Sequence, residues 1–188
     1  MRYILPVLIL TPSLAFAHLA PGEHGSFAAG ASHPLFGADH VLAMLAVGLW
    51  AALISGRALW FLPVGFVGAM ALGFGAAMAG APLPAVEPLI LASVLILGLL
   101  VALAVRMPVS AAVALVAAFG VFHGHAHGAE IGGATALHYL TGFAVATMAL
   151  HLVGLALGLA ITRLASHTAL RGGGGVVAAL GAWLVAAG

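Results

Sequence analysis

Charge is so scarce in this chain that water cannot be the solvent for most of its surface. Five basic and four acidic side chains are spread over 188 residues. The stretches between them are apolar and many are long enough to cross a bilayer, which takes about 20 residues as a helix. A soluble domain carries roughly a quarter charged residues; here the share is 5%, against 64% hydrophobic. Fold class follows from solvent: the backbone must satisfy its own hydrogen bonds in lipid, and apolar runs of this length do so as helices.

Residues 1–17 read as a cleavable signal peptide. Arg2 supplies the positive start, Ile4 to Leu10 a short apolar core, and Ala15, Phe16 and Ala17 a small-x-small cleavage site. Pro6 and Pro12 weigh against the alternative, a short first membrane helix. Cleavage after Ala17 would leave residues 18–188 as one transmembrane domain beginning with His18, whose amine and imidazole together can chelate a metal.

Six apolar runs follow, at about 35–55, 58–80, 88–105, 109–128, 134–161 and 174–188. Threading six spans from an outside start puts Arg57, Arg106, Arg163 and Arg171 on the cytoplasmic side and Glu23, Glu87 and Glu130 outside. That is the positive-inside pattern, and it expects an all-α membrane protein with both termini extracytoplasmic. Gly120, Gly124 and Gly128, and Gly154 and Gly158, recur at the spacing that lets helices approach closely in lipid.

There is no Cys, so thiolate metal sites and disulfides are excluded and any metal must be held by nitrogen and oxygen. Near-zero net charge speaks against a nucleic-acid partner. Ten His stand beside nine charged residues, and they cluster. The first cluster is His33, Asp39 and His40 at the outer end of the first span, where Pro34 and Gly37 can turn His33 back toward Asp39. An intramembrane carboxylate is costly unless paired, solvated or bound to something. The alternative is an Asp–His pair that only neutralises itself.

The second cluster is His123, His125, His127 and Glu130, at the outer end of the fourth span. His123, His127 and Glu130 share one helical face, while His125 points to the other side. Imidazole with carboxylate suits a divalent transition metal such as nickel, cobalt or zinc. The alternative is a loop of unliganded histidines. His138 opens the fifth span on the same side and reads equally as ligand or interfacial residue. His151 lies near or below the midplane of that span and reads as an inner waypoint, a proton carrier or a hydrogen-bonded core residue.

The signal peptide, the segment HPLFGADH opening the first span and the segment FHGHAHGAE ending the fourth resemble the HupE/UreJ family of hydrogenase and urease accessory permeases. The likeness covers essentially the whole chain. It implies a nickel or cobalt importer of the inner membrane, indirect supply of nickel-enzyme maturation, and metal roles for His33, Asp39, His40, His123, His127 and Glu130. It says less about His125, His138 and His151. No prosthetic group and no catalysis are expected; the ion is cargo, a homo-oligomer is open, and no P-loop is present to spend ATP. Other readings of the same residues are a metal-binding scaffold or sensor without transport, a bis-His haem protein, and an intramembrane metalloprotease, for which the His-Glu-x-x-His pattern is missing.

Overall fold

The computed structural model describes residues 26–131 and 135–187, and of Glu130 the backbone only. Residues 1–17, which the sequence reads as a signal peptide, and His18, Glu23 and His24 lie outside the described residues. Seven α-helices and no strand occur among the residues described: α1 (Phe27–Phe36), α2 (Ala38–Ile54), α3 (Ala58–Met78), α4 (Val86–Ala102), α5 (Val109–Glu130), α6 (Ala136–Leu164) and α7 (His167–Ala187).

Each of the six apolar runs coincides with a helix, α2 to α7. The seventh helix, α1, was not expected. Its ten residues are capped by Ser26, whose hydroxyl accepts from the Ala29 amide at 2.9 Å. It turns into α2 at Gly37 with a bend of 85°. By length and composition α3, α5, α6 and α7 can cross a membrane, and the bent α1–α2 pair would make a fifth crossing. At 17 residues α4 is shorter, spanning about 25 Å against a hydrocarbon core of about 30 Å.

Backbone approaches fix the arrangement. A Cβ on Gly124 would overlap the Met70 carbonyl, one on Gly120 would press on Phe66 and one on Gly128 on Phe74, so α3 and α5 run parallel in close contact. The α2–α6 pair is built likewise: Gly154 faces the Leu45 backbone, and Gly48 faces His151 and Leu155. Gly98, Gly174 and Gly181 seat α4 and α7 antiparallel. The indole of Trp50 donates to the Val105 carbonyl at 2.9 Å, bringing the ends of α2 and α4 together. Thus α2, α4 and α6 run one way and α3, α5 and α7 the other.

The glycines therefore serve packing, which without a hydrophobic drive between helices must come from close contact. Met44, Trp50, Leu62, Phe66, Met70 and Phe143 fill the centre with no exposure. Trp60, Leu72, Val145, Leu164 and Trp183 face outward, an apolar exterior that suits acyl chains.

Candidate metal-ion site

Asp39 and His40 open the first turn of α2, and His127 stands in the last turn of α5. These are neighbouring ends of oppositely directed helices, so residues 87 positions apart meet: Nε2 of His40 lies 2.7 Å from Nε2 of His127. Across the 85° bend, α1 carries His33 over the same spot. Its ring centroid is 4.2 Å from that of His127 and 6.1 Å from that of His40. One turn deeper on α5, the His123 ring lies 4.8 Å from the His40 ring. Four imidazoles from three helices thus lie together, flanked by the rings of Phe143, Phe66 and Tyr139.

Gly37 makes the approach possible. A Cβ there would come within 2.9 Å of the Asp39 carboxylate and 3.1 Å of His40 Nδ1. The turn that returns His33 is also the space that Asp39 and His40 occupy.

Hydrogen bonds assign the tautomers. Asp39 Oδ1 lies 3.1 Å from His40 Nδ1, so that nitrogen donates and Nε2 of the neutral ring keeps its lone pair. His127 Nε2–H must then be the donor across the 2.7 Å contact. Ser93 of α4 donates its hydroxyl to the Ile90 carbonyl at 2.6 Å, so toward His123 Nε2, at 3.1 Å, it accepts. His123 is left with its lone pair on Nδ1, which is buried and has no hydrogen-bond partner among the described residues. A carboxylate and a hydroxyl thus each hold one nitrogen of an imidazole, as outer-shell partners of metal-ligating histidines do; the other nitrogen of His40 accepts from His127, and that of His123 is bare.

Among the described residues, no three His, Asp or Glu side chains already converge to hold an ion. The contact between His40 and His127 is a hydrogen bond, whereas two nitrogens cis on one metal stand about 3 Å apart. For both Nε2 atoms to hold an ion, His127 would have to carry its proton on Nδ1 instead.

The remaining histidines are placed elsewhere. His125 turns to the far side of α5, where its Nε2 meets the Ala81 carbonyl at 2.8 Å. His138 is exposed at the start of α6, and His167 opens α7 at the arginine end. His151 is fully buried on α6, against Phe66. Glu130 closes α5 at the same end as His127. Sequence reading missed Ser93; its signal was being the one hydroxyl in α4 and, with Glu87, one of only two polar side chains there.

Apolar helices closing over a buried imidazole cluster define a multi-pass membrane protein with a polar centre near one end of the bundle. The chain belongs to the HupE/UreJ family: residues 6–184 match the family described as "HupE / UreJ protein". It is 42% identical over 177 residues to "Protein HupE" of Rhizobium leguminosarum bv. viciae, covering 93% of this chain and 91% of that protein. No solved structure matches it.

Proposed function

We propose that this protein is a secondary transporter that imports a divalent transition-metal ion, Ni²⁺ foremost and Co²⁺ or Zn²⁺ as competitors, across the bacterial inner membrane. One observation carries the reading: His33, His40, His123 and His127, from α1, α2 and α5, are gathered inside an apolar bundle. Intramembrane ionisable groups are expensive and mark ion pathways. Neutral nitrogen donors beside a carboxylate suit the borderline cations of the nickel group.

In this reading His40 and His127 exchange their mutual hydrogen bond for the ion, and His33 and His123 close on it. Asp39 holds the His40 ring and balances part of the incoming charge. Glu130, in the last turn of the same helix as His127, is a further candidate ligand. The cluster faces outward: Arg57, Arg106, Arg163 and Arg171 lie at the opposite end of the helices, which the positive-inside rule assigns to the cytoplasm. Six crossings, with α2 and α4 the short ones, thread the chain this way. Both termini are then extracytoplasmic, and residues 1–17 are removed as a signal. The membrane potential favours inward movement of a divalent cation, and the delivered metal serves maturation of nickel enzymes.

The test is ⁶³Ni²⁺ uptake into proteoliposomes by the wild type, Asp39→Asn and His40→Ala at equal protein content. Both variants should lose at least about tenfold, the lower bound for disturbing a metal site. Uptake unchanged in both sinks the proposal; binding without uptake by the wild type makes the protein a scaffold instead.

A further inference from the structure

One buried imidazole stands apart from the outer cluster. His151 has no exposure, and neither of its ring nitrogens has a hydrogen-bond partner among the described residues. Buried polar groups are nearly always satisfied, and an exception needs a reason. A histidine kept for the core alone would normally be tied to a carbonyl or hydroxyl, as Ala81 ties His125.

Its position is defined by the antiparallel contact of α3 and α6. Phe74 stacks near Tyr139, Met70 meets Thr147, and Phe66 meets His151. From Tyr139, beside the outer cluster, to His151 the rise along α6 is about 18 Å. The Phe66 ring touches both sites, with its centroid 5.4 Å from His123 and 5.0 Å from His151. One turn from His151 on the same face is Thr147, whose hydroxyl lies 3.7 Å from the Met70 sulfur; both side chains are fully buried. The close approach of Gly48 to the His151 backbone holds this part of α6 against α2.

We propose that His151 is the principal donor of a second, inner station for the divalent ion, with the Thr147 hydroxyl and Met70 thioether beside it. The inference rests on the transport reading. An ion leaves one set of imidazoles only for a site offering a comparable lone pair, and it moves on only if that site is weaker. A single imidazole with two neutral, weak donors meets both conditions, where four imidazoles beside a carboxylate would hold on. The inner station is therefore a transit site: it sets flux and leaves outer affinity alone.

The experiment compares the wild type with His151→Phe, which fills the same space, and His151→Gln, which keeps hydrogen bonding but loses the imidazole. Equilibrium ⁶³Ni²⁺ binding in nanodiscs and ⁶³Ni²⁺ uptake in proteoliposomes are both read. The tight outer binding should stay within about threefold, while uptake falls at least about tenfold in both variants. Should His151→Phe fail to reach the membrane, His151→Gln carries the test alone. A smaller loss of uptake overturns the inner station. So does loss of tight binding together with uptake, which would make His151 part of the outer site or of the fold. Wild-type vesicles that bind Ni²⁺ but take up none overturn the transport reading itself, and the station with it.

Discussion

Two of the clustered histidines have a nitrogen committed elsewhere before any ion arrives. Asp39 accepts a hydrogen bond from Nδ1 of His40, and Ser93 accepts one from Nε2 of His123. Ser93→Ala should therefore weaken Ni²⁺ binding by about 10-fold, the lower part of the range for losing an outer-shell partner; equilibrium dialysis reads it, and unchanged affinity would detach Ser93 from the site. His127→Ala should abolish uptake, while His125→Ala, whose ring is spent on the Ala81 carbonyl, should leave uptake within about twofold. The helical phase of His123, His125 and His127 was legible in the sequence, because 3.6 residues per turn puts the first and last on one face. Ser93 was not, because its partner lies 30 positions away on another helix.

Among the elements, the corner between α1 and α2 does most to assemble the cluster. The sequence indicated that Pro34 and Gly37 could return His33 to Asp39, and the structure does bring His33 back over His40. That the returning piece is itself a helix was hidden: FAAGASHPLF is far too short for a span and carries Pro34 near its end. Gly37→Val should drive its side chain into Asp39 and His40, and uptake should fall with it. Close helix contacts give a paired prediction for stability. Gly124→Ala forces a methyl into the Met70 backbone and should cost about 1–3 kcal/mol. Gly173→Ala meets nothing within 4 Å and should be neutral or gain up to about 1 kcal/mol of helix propensity. Thermal unfolding in detergent distinguishes them, and equal melting temperatures would contradict the α3–α5 packing. The glycine spacing announced such contacts, but only the fold shows that Gly120, Gly124 and Gly128 all serve α3.

At the scale of the whole molecule, charge is segregated among the described residues. Asp39, Glu87 and Glu130 stand at the helix ends near the imidazole cluster, and four arginines stand at the other. Scarcity of charge made the membrane class and the helical fold readable at once, and the apolar runs located six of the seven helices. The length of α4 and the meeting of α1, α2 and α5 depend on tertiary packing, which no single run encodes. Because imidazole must be neutral to bind metal, Ni²⁺ affinity should fall as the medium is made more acidic. Binding isotherms at a series of pH values would show this; affinity rising with acidity would contradict imidazole ligation. The central claim, that α1, α2 and α5 hold the cation between them, is tested most directly by X-ray absorption of the Ni²⁺-loaded protein. Nitrogen and oxygen ligands at about 2.1 Å with the outer scattering of at least two imidazoles are predicted, and that signature should vanish in the His40→Ala, His127→Ala double variant. A Ni²⁺ spectrum without imidazole scattering, or one unchanged in the double variant, would contradict it.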